Sequence, residues 1–152
     1  MEIEVKMVEE KQVAYISHKG PYDALPELFG EVVGWVMSKG LQITGPPFGI
    51  YYNSPEEVPP EELMYEVGIP FVAEAQEEGR IKIKKIPAQQ VLSAIHKGPY
   101  DQVGAVFAAL FEYAMKNDYE IVGAPTEIYL NDPMEVPESE LLTEVQFPVV
   151  KK

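Results

Sequence analysis

A chain of 152 residues, 46% of them hydrophobic, is long enough for one compact domain or two very small ones and is far from a disordered composition. The absence of cysteine excludes a disulfide framework and a thiolate zinc site, and no apolar run is long enough to cross a membrane. A net charge of −13 and an isoelectric point near 4.5 argue against direct binding to DNA, RNA or anionic lipid, and favour cationic partners or plain solubility.

In chain order, residues 2–8 alternate apolar and polar side chains and 12–17 are short and β-prone, which predicts two strands. No secretory leader is expected, since the alternating Ile3, Val5 and Met7 begin at once, and the expected location is cytoplasmic. Gly20-Pro21 breaks the second strand. A helix follows, with Asp23 as its expected N-cap, Pro26 in the first turn and Leu25, Leu28, Phe29, Val32, Val33 and Val36 on one face, closing at Gly40. Strands are expected at 48–53 and 63–71, separated by a loop from Pro55 to Pro60 too rich in proline for regular structure.

The same plan then returns. His18-Lys19-Gly20-Pro21-Tyr22-Asp23 recurs letter for letter as His96-Lys97-Gly98-Pro99-Tyr100-Asp101, and a constant offset of 78 positions relates most of the chain. Ile3 and Lys6 recur as Ile81 and Lys84. Ile50-Tyr51, Asn53, Pro55 and Glu57-Val58-Pro59 recur as Ile128-Tyr129, Asn131, Pro133 and Glu135-Val136-Pro137, and Glu66-Val67 as Glu144-Val145. The second helix carries Val103, Val106, Phe107, Leu110, Phe111 and Ala114 behind an expected Asp101 cap and closes at Asn117-Asp118. Strands are expected at 126–131 and 141–149. Two copies are too few for a solenoid. The expectation is an α+β fold: a pseudo-twofold duplication of a ββαββ unit (repeat 1, residues 1–74; repeat 2, 79–152) with antiparallel sheets, helices on one side and a central groove between the repeats. The acidic linker Ala73 to Gly79 is short.

Departures from the repeat point to function. Tyr15, Phe48, Tyr52 and Tyr65 correspond to Ser93, Thr126, Leu130 and Thr143, while Gly49 gives way to Glu127. Side chains alternate faces along a strand. With Ile128 and Val145 facing the helix, Glu127, Tyr129, Leu142 and Glu144 look onto the open face, and Gly49, Tyr51, Met64 and Glu66 onto its counterpart. That describes a mostly apolar groove with placed carboxylates, the usual form of a small-molecule site, in which Gly49 leaves room for a ligand. Carboxylates beside aromatic rings attract a desolvated cation. Glutamates on an antiparallel strand are also often its wet face. Trp35 and Tyr113 serve equally as core or as pocket wall. The only histidines, His18 and His96, occupy equivalent turns without ligand spacing, so neither a metal nor a cofactor is expected. There is no phosphate-binding glycine loop and no nucleophile elbow.

The two His-Lys-Gly-Pro-Tyr turns, the segment Glu127-Ile128-Tyr129-Leu130-Asn131-Asp132-Pro133 and the ending Leu141-Leu142-Thr143-Glu144-Val145-Gln146-Phe147-Pro148-Val149 resemble the GyrI-like small-molecule-binding domain, the effector-binding domain of bacterial transcription activators. The resemblance spans residues 1–152 as a single domain. It implies a stand-alone member, without a helix-turn-helix segment, that binds a hydrophobic, cationic small molecule through glutamates and aromatics. The ligand glutamate most resembles Glu127, then Glu144, with Tyr129, Tyr51, Trp35 and Tyr65 as wall; Glu66, Met64 and Leu142 complete the set. Two alternatives follow from stand-alone relatives. One is a hydrolase of reactive cyclopropanoid compounds using Glu127 and Glu144 as an acid/base pair. The other is a protein inhibitor of a partner such as DNA gyrase.

Overall fold

The computed structural model describes residues 2–152, which form ten strands and two helices in an antiparallel α+β architecture. In chain order the elements are β1 (Glu4–Val8), β2 (Lys11–Lys19), α1 (Leu25–Ser38), β3 (Gln42–Ile43), β4 (Phe48–Tyr51), β5 (Met64–Val72), β6 (Lys82–Ile86), β7 (Gln89–Lys97), α2 (Gly104–Lys116), β8 (Tyr119–Ile121), β9 (Thr126–Tyr129) and β10 (Leu142–Lys151). The expected strands and helices are all present. The two-residue β3 and three-residue β8 are additions, too short to show any periodicity.

Two compact units divide the chain, and they do not coincide with the sequence repeats. Residues 10–87 form one unit; residues 1–9 and 88–152 form the other. In the first unit β2 lies between β6 and β5, β4 pairs with β5 on its other side, and β3 adds to the end of β5. In the second unit β7 lies between β1 and β10, β9 pairs with β10, and β8 adds to its end. The opening strand of each repeat therefore pairs with the second strand of the other. Only Glu9 and Glu10 separate β1 from β2, yet the two strands do not pair with each other.

Each unit builds its core by laying a helix on one sheet face. In the first, Leu28, Val32 and Val36 of α1 pack on Ala14, Ile16, Tyr65, Val67, Ile69 and Phe71. In the second, Val106, Leu110 and Ala114 of α2 pack on Leu92, Ala94, Val145, Phe147 and Val149. Burying one such Leu or Phe contributes about 1.5–3 kcal/mol, so these short stripes carry the helices. The helix starts differ from expectation. Asp23 and Asp101 sit inside 3-10 turns at Tyr22–Ala24 and Tyr100–Gln102, and the helices begin after Ala24 and Val103 without a side-chain cap. Proline immediately before each turn fixes an extended conformation, and the tight turn supplies the first hydrogen bonds that a cap would have made. The exits follow expectation: Gly40 at φ 68° and Asp118 at φ 58° leave α1 and α2 through left-handed backbone. Among the described residues, no helix is long and apolar enough to cross a membrane.

A candidate cation site around Glu127

Strand pairing decides which carboxylates can meet. On β10, Val145 lies directly opposite Glu127 of β9, and Glu144 lies opposite Ile128. Directly opposed residues of an antiparallel pair project to the same face. Glu127 and Tyr129 therefore share the face of Thr143 and Val145, which α2 covers, while Glu144 and Leu142 project to the other. The expectation that Glu127 and Glu144 look onto one face is corrected, and with it the acid/base pair. Alternation within a strand fixes which of its residues share a face, but not the register between strands, and a shift of one residue reverses every face. The first unit corrects the same way: Ile50 is opposite Glu66 and Gly49 opposite Val67, so Tyr51 shares a face with Tyr65, away from Glu66 and Met64.

The two faces carry different chemistry. Glu144 is neutralised within its own unit: Lys6 Nζ lies 2.7 Å from its Oε2, and Ser93 Oγ and Gln146 Nε2 each donate to the same oxygen at 2.7 Å. Burial alone would raise its pKa, but the bonds from Lys6, Gln146 and Ser93 outweigh burial and hold it below the ordinary carboxylate value. Glu66 repeats the theme. Lys84 donates to its Oε1, Ser17 Oγ donates to Oε2 at 3.2 Å, and the same ammonium lies 4.3 Å from the centre of the Tyr15 ring. Burial and the neighbouring Glu66 carboxylate push the Tyr52 phenol far up. Met64 is half exposed beside this cluster and Leu142 partly buried beside the other.

Glu127 stands apart. Its Oε1 accepts the Tyr129 hydroxyl at 3.0 Å, and among the described residues it enters no ion pair with lysine or arginine. Burial pushes its carboxyl above the ordinary value; the Tyr129 bond and the field of His96 only partly oppose this. Tyr100 meets Tyr129 edge to face at 5.5 Å, and its phenol is raised by burial and by the carboxylates of Asp132 and Glu127. The ring of Tyr100 also lines a cleft of about 420 Å³ with Asp101, Pro133, Glu138 and Leu141, a volume in the range of small-molecule pockets. Glu127 and Tyr129 do not line that cleft themselves; Tyr100, in contact with the Tyr129 ring, is the residue the two share.

The remaining expected residues are placed as follows. Tyr65 is 1% exposed, donates its hydroxyl to the Pro21 carbonyl at 2.9 Å and belongs to the core under α1. Tyr51 packs between Tyr22 at 5.7 Å and Tyr65 at 6.0 Å, and its phenol covers Gly49, so the space expected there is filled by the chain itself. Trp35 is partly buried on α1 and donates Nε1–H to Glu78 at 2.9 Å; Lys39 bridges the same carboxylate. Lys6, Lys84, Tyr100 and His96 were not expected in any site. Their repetition was visible, but nothing in sequence showed which strands would bring them beside a carboxylate. Among the described residues, no group of acidic or histidine side chains has the form of a metal site.

Comparison with known proteins places this geometry in a family. The chain is 30% identical over 159 aligned positions to a DNA gyrase inhibitor from Erwinia billingiae, covering 99% of both. It is 27% identical to DNA gyrase inhibitor 1 from Dickeya dadantii over 87% of this chain and 90% of that one. The crystal structure of the EcmrR C-terminal domain superposes with a TM-score of 0.89 at 26% identity, covering 99% of this chain and 98% of that one. The family model for the GyrI-like small molecule binding domain matches residues 1–150, and the chain belongs to that family.

Proposed function

We propose that this protein binds a hydrophobic cation, with Glu127 as the counter-charge and Tyr129 and Tyr100 as aromatic walls. One observation carries the reading. Of the three glutamates expected to serve a ligand, all partly buried, Glu66 and Glu144 are already paired with lysines, whereas Glu127 is raised in pKa by desolvation and has no lysine or arginine partner among the described residues. A desolvated carboxylate is costly unless a positive charge joins it, so a bound cation recovers what the empty site forgoes. Each aromatic face adds about 0.5–2 kcal/mol when the cation is desolvated.

The test is calorimetric titration with tetraphenylphosphonium, with triphenylphosphine oxide as a neutral control of similar shape. Binding of the cation alone, weakened about tenfold or more by Glu127→Gln, supports the reading. Equal binding of both compounds, or an unaffected Glu127→Gln variant, refutes it.

A second reading, inhibition of a protein partner, is favoured by the two relatives named DNA gyrase inhibitors. The net charge of −13 suits a target whose surface takes nucleic acid. Inhibition of gyrase supercoiling by both the wild type and Glu127→Gln would support it independently of the cation site. Hydrolysis by Glu127 and Glu144 acting together is not favoured, because the two carboxyls project to opposite sheet faces and cannot share one water.

A further inference from the structure

Comparing the two repeats at the same backbone positions isolates one atom. In the first unit the position opposite Tyr51 is Tyr65, whose hydroxyl donates to the Pro21 carbonyl. In the second unit the equivalent position, opposite Tyr129, is Thr143. The carbonyl equivalent to Pro21 is that of Pro99, and it lies 2.9 Å from His96 Nε2 instead. His96 is itself the strand partner of Thr143. An imidazole has thus taken over the bond of the missing phenol, and a threonine stands where the phenol ring was. Thr143 is 0% exposed, and its Oγ1 has no hydrogen-bond partner among the described residues. Buried hydroxyls are nearly always bonded, and one left without a partner forfeits stability.

Thr143 occupies the same face as Glu127, one diagonal step away across β9 and β10. Diagonal neighbours lie about 7–8 Å apart at Cα, close enough for one small polar group to reach both side chains. Oε1 of Glu127 accepts the Tyr129 hydroxyl, which leaves its carboxylate charge without a lysine or arginine among the described residues. Thr143 Oγ1 is therefore a buried hydroxyl without a partner on the face that carries the Glu127 carboxylate.

We infer that Thr143 is a specificity-determining residue of this site and selects cations that carry an N–H, the protonated primary and secondary amines, over quaternary ones. The inference rests on the proposed cation site and deepens it. An ammonium N–H donates to Glu127 Oε2 and a second to Thr143 Oγ1. A quaternary nitrogen satisfies the charge of Glu127 but leaves the threonine hydroxyl as it is in the empty protein. The titratable groups facing this position are Glu127 and Tyr129 of β9, His96 of β7 and Tyr100 of the turn before α2.

The experiment compares 1-naphthylmethylammonium with its N,N,N-trimethyl counterpart, on the wild type, Thr143→Val and Glu127→Gln. Valine keeps the shape of threonine and removes only the hydroxyl. The expected result is that Thr143→Val weakens the primary ammonium about tenfold and leaves the trimethyl compound within twofold, while Glu127→Gln weakens both. Equal loss for both compounds in Thr143→Val, or loss for neither, overturns the inference while leaving the cation site standing. Failure of both compounds to bind the wild type overturns the site and the inference together. The ligand-free variant gives a second measurement. Thr143→Val is expected to melt at or above the wild-type temperature, because it removes a hydroxyl without a partner. A clear fall in melting temperature would show that the hydroxyl is bonded in the empty protein, and the inference would fail.

Discussion

Replacing Glu127 by Gln in the ligand-free protein is expected to stabilise it at neutral pH and to change nothing in acid. The amide occupies the same volume and its oxygen still accepts the Tyr129 hydroxyl, so what the substitution removes is charge. Burial holds the folded carboxyl above the ordinary value of 4.5. Well below 4.5 both the folded and the unfolded chain carry the proton, and the wild type and Glu127→Gln have no reason to differ. As pH rises from there, the unfolded chain releases its proton first while the folded chain retains it. Wild-type stability therefore falls through the interval between the two values and levels off above the folded one. The Tyr129 bond and the field of His96 offset part of the burial cost, and what remains favours Glu127→Gln at pH 7 and vanishes in acid. For a chain of this size each kcal/mol of that difference shifts the melting temperature by about 2–4 °C. Urea unfolding from pH 3.5 to 8, followed by circular dichroism and by the fluorescence of the single tryptophan, measures it. A difference that does not change with pH, or a Glu127→Gln variant less stable than wild type at pH 7, would mean that the carboxylate already has a cationic partner, and the reasoning would be refuted.

Other outcomes follow from the same structure. Cation affinity in the wild type is expected to rise with pH through the upper carboxylate range and then level off, because binding favours the ionised Glu127; the Glu127→Gln variant should show a flat profile in the same titrations. Lys84→Met should cost about 1–3 kcal/mol in urea unfolding by leaving Glu66, whose side chain is 13% exposed, without its ammonium, and adding Glu66→Gln should restore most of the loss. Gly68→Ala should destabilise by about 1–3 kcal/mol, since a Cβ there would stand 2.6 Å from the Ala14 carbonyl oxygen and 2.8 Å from the Phe48 ring; a wild-type melting curve would contradict that packing.

Much of this fold was legible because its signals are local. The 78-residue offset delivers the element order twice, the stripes Leu28-Val32-Val36 and Val106-Leu110-Ala114 mark the buried helix faces, and Gly40 marks the exit of α1. The site was legible only in part because it depends on pairing. Nothing in Thr126–Tyr129 states whether Glu127 or Ile128 stands opposite Glu144, since four residues alternate equally well in either register. The two lysines that neutralise Glu66 and Glu144 were hidden for a related reason: Lys6 reaches Glu144 only because β1 pairs with β7, a partner more than 80 residues further along the chain. An aromatic at a position of difference reads as a ligand wall, whereas Tyr65 is packed in the core under α1. Its hydroxyl instead closes the turn at Pro21.

The exchanged opening strands bear on how such a chain could have arisen. A single ββαββ copy, cut anywhere in the Ala73–Gly79 linker, would lack the outer strand that covers its own second strand and would carry a spare one fitted to its twin. The half-length ancestor implied by the repeat would then have been complete only as a dimer trading arms, its stability falling with dilution. Fusing two such copies end to end would replace that second-order assembly by an intramolecular one, at an effective concentration no dilution can lower. It would also let the positions held here by Gly49 and Glu127 differ, which a symmetric dimer encoded by one gene does not allow.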